Sequence, residues 1–200
     1  MMTTIRSFIA IELTADAAAS LTTLQRRLKT IVPPNTVRWT AVENIHLTLH
    51  FLGDTATANI EQIKQAMQSA ATACPPLSLA LAGLGCFPNT RRPNIVWVGV
   101  QGDLPPLVNL QRNLGEQLQR AIGFKPESRP YSPHLTIGRV KKGLPARLLG
   151  QLGQELERER GEIGQLVTFD VSQISLIKSD LKPAGPVYTP LAHAQLMTRI

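Results

Sequence analysis

Apolar and polar residues alternate in short runs along most of the chain, separated by segments whose apolar positions recur every three or four residues. Strict alternation marks a half-buried strand and the longer period an amphipathic helix. "IRSFIAIEL" (5–13) reads as a strand, with its alternation broken in a way that predicts burial on both faces. A helix is expected over 14–32, with Thr14 as N-cap and Pro33-Pro34 as a stop. A strand over 45–52 precedes a helix near 58–73, whose stripe is Ile60, Ile63 and Met67. Strands over 77–87 and 94–100 flank the turn-rich "PNTRRP". Helices over 104–122 and 145–159 enclose a strand at 133–140, and extended segments at 165–179 and 187–197 complete the series.

Two of these strands carry the same polar pair. In "IHLTLHFLG" (45–53), Ile45, Leu47 and Leu49 hold one parity while His46 and Thr48 hold the other. "PHLTIGRV" repeats the order His, Leu, Thr, aliphatic at His134 to Ile137, 88 residues later (134 − 46 = 88). The same offset lays Phe8–Glu12 on Val96–Val100, the helix around Ile60 on that around Leu148, and "LALAGLGCF" on "VTFDVSQIS". A repeated core pattern follows from architecture alone; a repeated polar pair does not. The expected fold is α+β. Residues 1–200 would form one internally duplicated unit of two pseudo-symmetric lobes, each an antiparallel sheet with helices on its outer face. A pseudo-two-fold of that kind would bring His46/Thr48 and His134/Thr136 together across a shared cleft.

Composition narrows the partners. No uninterrupted apolar run approaches a membrane span, and the first twenty residues, interrupted by Glu12, make a poor signal peptide, so a cytoplasmic protein is expected. Cys74 and Cys86 have neither metal-ligand spacing nor a disulfide framework. A net charge of +7 favours an anionic partner. The basic residues are dispersed, with short pairs only at Arg26-Arg27, Arg91-Arg92 and Lys141-Lys142, which suits a local phosphate site better than a long duplex groove.

Two facing imidazoles can hold opposite protonation states, one serving as general base and the other as general acid. Threonine hydroxyls two residues along can hydrogen-bond an anion held between them. Phosphodiester chemistry fits such parts. No nucleophilic Ser or Cys motif and no H-E-x-x-H cluster is present, so no metal or other cofactor is expected.

The paired tetrads, with "FIAIEL", "VENIHLTLHFLGD", "RPYSPHLTIGRV" and "YTPL", resemble the two-histidine phosphoesterases. The nearest likeness is to the bacterial RNA 2′,3′-cyclic phosphodiesterases, formerly named 2′-5′ RNA ligases, and it spans nearly the whole chain. The resemblance implies metal-independent opening of a 2′,3′-cyclic phosphate to a 2′-phosphate, with His46 as proton donor to the 3′ oxygen and His134 as the base acting on water. It also implies an aromatic residue five after the first histidine, stacking on the base, and an arginine five after the second, on the phosphate. Those positions hold Phe51 and Arg139. Strict alternation would turn both away from their histidines, so each role requires a bulge or twist, and for Phe51 core packing stays open.

Among the rest, His50 is expected to be structural or solvent-facing, His193 has no motif around it, and Trp39 and Trp97 read as core. Tyr131 and Arg129 lie in the proline-stiffened approach to the second tetrad, and Lys178 is a cleft or surface cation. The expected partner is an RNA end or nucleotide bearing a 2′,3′-cyclic phosphate, bound by a monomer with no membrane attachment; ligation by reversal of the chemistry is also open. Alternatives are the same fold acting on small cyclic nucleotides or 2′-5′ oligonucleotides, or a non-catalytic RNA-binding module.

Overall fold

The computed structural model describes residues 3–183 and 185–197. The elements run β1 (Thr4–Glu12), α1 (Ala15–Ile31), β2 (Val37–Trp39), β3 (His46–Ala56), α2 (Ile60–Thr72), β4 (Leu77–Phe87), β5 (Ile95–Gly102), α3 (Leu104–Ile122), β6 (His134–Val140), α4 (Ala146–Glu162), β7 (Gln165–Val171), β8 (Gln173–Lys182) and β9 (Gly185–Gln195). Thr14 caps α1 by accepting from the Ala17 amide. Gly123 ends α3 in the left-handed conformation, which costs a residue without Cβ nothing.

Two antiparallel sheets result, one ordered β3-β1-β8-β9 and the other β2-β6-β5-β4-β7. Helix α2 packs on the four-stranded sheet and against α3, which touches a strand of each sheet, while α1 and α4 pack on the five-stranded one. Each sheet draws on both halves of the sequence. β1 and β3 are completed by β8 and β9, while β5 and β6 are completed by β4. The segment 165–179, expected as one extended run, is therefore two strands. Only Ser172 lies outside both, and there the chain leaves the edge of one sheet for the interior of the other. The short β2 went unpredicted; three residues hold no period long enough to read.

A large core fills the space between helices and sheets, including Ile9, Ile11 and Leu47 of one sheet with Val96, Val98 and Leu135 of the other. The opposite face of the four-stranded sheet carries a small separate cluster of Phe8, Ala10 and Ile177, against which Tyr188 packs. β1 is thus buried on both faces, as its broken alternation predicts. Among the described residues no helix is long and apolar enough to cross a membrane.

Candidate active site

His46 opens β3 and His134 opens β6, and both stand on sheet faces turned away from the main core. The faces follow from register. On β1, Phe8 and Ala10 belong to the separate cluster, and Ala10 pairs with Thr48 while Glu12 pairs with His46. On β5, Trp97 pairs with Thr136 and Gly99 with His134. Each histidine–threonine pair therefore shares one surface, as the alternation predicts.

Both strands then break register at the same point, three residues past the histidine. On β3, Thr48 faces Ala10 but His50 faces Ile9, leaving Leu49 as an extra residue. On β6, Thr136 faces Trp97 but Gly138 faces Val96, leaving Ile137 as the extra residue. One inserted residue reverses the parity of everything that follows. Phe51 consequently pairs with Phe8, and Arg139 with Ile95, on the histidine face in both cases. Phe51 is 60% exposed, its ring centroid 6.1 Å from that of Phe8, so the core-packing alternative is set aside.

Each irregularity is pinned by a helix. His50 is buried, with Nε2 2.8 Å from the Gln111 carbonyl of α3 and its ring edge-on to Phe124. Gly115 of α3 admits that ring, because a Cβ there would lie 3.1 Å from it. At β6, buried Gln25 of α1 donates to the carbonyl of the extra residue Ile137 (2.9 Å) and to that of Thr40 (2.8 Å). His50 is structural, one of the two roles expected of it.

The imidazoles are oriented alike. His46 Nδ1 lies 3.0 Å from the Asn44 carbonyl and His134 Nδ1 2.7 Å from the Ser132 carbonyl, each two residues back. A carbonyl only accepts, so Nδ1 carries the proton in both rings, and Nε2 is left as the reacting nitrogen. Phe8 stacks on His46 at 4.4 Å and 22°, and Tyr188 meets both rings edge-on at 5.1–5.3 Å. Around His134, Phe87 stands edge-on at 4.9 Å and Trp97 at 6.3 Å. Trp97 lies against Gly85, where any Cβ would collide with the indole.

The strands that carry the two tetrads, β3 and β6, are in contact. Tyr131, just before His134, donates its hydroxyl to the Thr48 carbonyl at 2.9 Å. Burial raises the Tyr188 phenol, and the guanidinium groups of Arg139 and Arg6 oppose that rise, so the Arg139 charge reaches the residue that braces His46. A cavity of about 510 Å³ opens beside His46, lined by Glu12, Glu43, Asn44, Ile177 and Tyr188 among others. Lys178, in contrast, pairs with Ser7 of the core face and bridges to Asp180 at 3.0 Å, so it is not a cleft cation. Trp39 covers Gly138, away from the histidines. Among the described residues no group of three or more His, Cys, Asp or Glu is placed to hold a metal ion.

Burial pushes His46 down to about 4, against the raising influence of the Asn44 carbonyl and then the Glu12 carboxylate. His50 is lowered for the same reason. Both rings bind a proton less readily folded than unfolded, so acid favours the unfolded chain. Stability should be full above about pH 6.5 and fall as the pH drops toward 4. Urea titrations at pH 7 and 4.5 should show a loss of roughly 1–3 kcal/mol traceable to His46, which His46→Gln removes.

Sequence reasoning gives no separate role to Phe8, Phe87 and Tyr188, which surround the imidazoles, or to Glu12, which lines the cavity. Phe8 sits in a strand buried on both faces, where alternation carries no sign of a cleft. Tyr188 and Glu12 were visible only inside the matching motifs.

The family described as LigT like Phosphoesterase matches the chain twice, over residues 11–97 and 98–188. A protein from Methanothermobacter thermautotrophicus named RNA 2′,3′-cyclic phosphodiesterase is 34% identical over 94% of this chain and 96% of its own. One of the same name from Methanocaldococcus jannaschii is 30% identical over 92% and 96%. Among solved structures, a Thermus thermophilus protein superposes with a TM-score of 0.76 at 24% identity, covering 96% of this chain and 98% of that one. Escherichia coli LigT complexed with 3′-AMP gives 0.73 at 24% identity, covering 98% and 100%. Matched over both tetrads and nearly its whole length, the chain belongs to the LigT-like phosphoesterase family.

Proposed function

We propose that the protein is an RNA 2′,3′-cyclic phosphodiesterase that hydrolyses a terminal 2′,3′-cyclic phosphate to a 2′-phosphomonoester by acid–base catalysis without a metal. The observation that carries this is the matched tautomer of the two histidines. Each Nδ1 is committed to a backbone carbonyl, which leaves two Nε2 atoms to exchange protons with the reacting oxygens. Phosphodiesterases of this name among the relatives support the substrate class.

In the proposed step, His134 Nε2 takes a proton from water as the water oxygen attacks phosphorus. The bond from phosphorus to the 3′ oxygen breaks, and His46 Nε2–H protonates that oxygen. The products are a 2′-phosphate and a 3′-hydroxyl, and the proton gained by His134 returns through solvent to His46. Burial by itself keeps His46 neutral near pH 7. The anionic phosphodiester would draw a proton onto it, so the acid is armed by its substrate. Thr48 and Thr136 donate to the phosphoryl oxygens and Arg139 neutralises their charge. Phe51 stacks on the base. With a 5′-hydroxyl in place of water, the same groups would let that oxygen attack phosphorus and expel the 3′ oxygen, joining the two ends in a 2′-5′ linkage.

The same proposal treats residues 1–200 as one two-lobed unit acting as a monomer in the cytoplasm, with each copy of the repeat supplying one histidine–threonine pair. The test is hydrolysis of a short RNA ending in 2′,3′-cyclic phosphate, with the product isomer identified by phosphorus NMR in buffer containing EDTA. A 2′-phosphate is expected; a 3′-phosphate would reverse the acid and base assignments, and activity restored only by divalent ions would sink the metal-free mechanism. Phe51→Ala should raise KM by an amount equivalent to ~1–3 kcal/mol, because an exposed ring that stacks on a base contributes about that much. An unchanged KM would free Phe51 of the stacking role.

A further inference from the structure

The cleft face of the four-stranded sheet carries a second polar constellation that the mechanism above does not use. Ser175 Oγ donates to Glu12 Oε2 at 2.6 Å and lies 2.9 Å from His193 Nδ1. A hydroxyl has one hydrogen, and here the carboxylate receives it, so Nδ1 must be the donor to Oγ. That order is the reverse of a nucleophilic triad, in which serine gives its proton to the imidazole. Ser175 is moreover only 1% exposed. These three residues build no nucleophile. They hold a carboxylate still.

The carboxylate is held beside His46. Glu12 and His46 are directly paired across β1 and β3, an arrangement that sets Cβ atoms about 4.5–5.5 Å apart on one face. Both line the same cavity. Glu12 is 43% exposed, and a free glutamate at that exposure would spread its charge over many rotamers. A buried serine and His193, whose Nδ1 is 3.8 Å from Oε2, confine it instead.

We propose that Glu12 is a positioning residue whose carboxylate, fixed by Ser175 and His193, is the countercharge that keeps a proton on His46 while His46 acts as the acid. The inference rests on the assignment of His46 as proton donor. The groups around the His46 ring make the need plain. Phe8 of β1 and Tyr188 of β9 enclose it with aromatic surface, and Arg6 and Arg139 lie close enough to act on Tyr188. Glu43, from the turn before β3, lines the cavity as well. Of the two carboxylates, Glu12 is the one that raises His46 against burial.

The test is an imidazole titration by NMR on ¹³C-histidine-labelled protein from pH 3 to 8, together with steady-state kinetics on a cyclic-phosphate RNA. In Glu12→Gln, which keeps size and hydrogen bonding, the His46 midpoint should fall by about 0.5–1 pH unit. At neutral pH kcat should drop about 3–10-fold, the same factor by which the protonated fraction falls, with KM within about twofold. Ser175→Ala should shift both in the same direction by less, and Glu12→Asp should recover part of the loss. A purely structural role for Glu12 would not move the His46 midpoint, so an unchanged or raised midpoint in Glu12→Gln overturns the proposal. The titration needs no substrate. Should the parent protein fail to hydrolyse the RNA while the midpoint still falls, the functional reading fails and the electrostatic assignment stands.

Discussion

His46→Ala and His134→Ala are each expected to lower kcat by roughly 10²–10⁴-fold, and the double variant by far less than the product of the two. Each ring presents only Nε2, because Nδ1 is spent on the carbonyl two residues back. Removing either imidazole therefore removes a whole proton-transfer step and leaves no second nitrogen to take over. Non-additivity follows because the base and the acid act in one displacement. The plot of kcat/KM against pH should be bell-shaped. His46→Gln should lose as much activity as the alanine variant while filling more of the space beside Phe8. A single variant with near-parental turnover and a normal far-ultraviolet spectrum would remove that histidine from the chemistry.

Arg139→Ala is expected to cost about 10²–10³-fold in kcat, with a smaller change in KM. Charge on the phosphoryl oxygens grows in the transition state, so a cation aimed at them counts most there. The guanidinium stands on the histidine face only because β6 carries its extra residue at Ile137. Arg139→Lys should restore part of the rate, since the charge returns without the planar fork. Steady-state kinetics on a cyclic-phosphate RNA would check this, and a loss confined to KM would make Arg139 a binding cation.

The legible and illegible parts of this chain divide along physical lines. The tetrads announced themselves because alternation fixes which side chains share a face over three residues, and a repeated polar pair has no packing explanation. Alternation then failed at Phe51 and Arg139. Their orientation depends on single inserted residues, Leu49 and Ile137, that look like ordinary core aliphatics in sequence. What holds those insertions in place, His50 for the first and Gln25 for the second, bonds to distant elements and has no local signature. Trp97 read as core because the glycine that lets it lie beside His134 is in another strand. His193 had no motif, and its partner Glu12 is 181 positions earlier (193 − 12 = 181).

The passage of the chain at Ser172 has a consequence for how the molecule comes into being. β1 can pair with β3 early in synthesis, yet its other edge waits for β8, and the bond from Ser175 to Glu12 closes 163 residues of chain. Until then one long edge of β1 offers unpaired amides and carbonyls to any passing strand. Closing so long a loop is entropically slow, and such contacts dominate folding time. Neither half of the sequence can finish a sheet alone, so a nascent chain paused midway would carry the first tetrad's framework in an open, association-prone form.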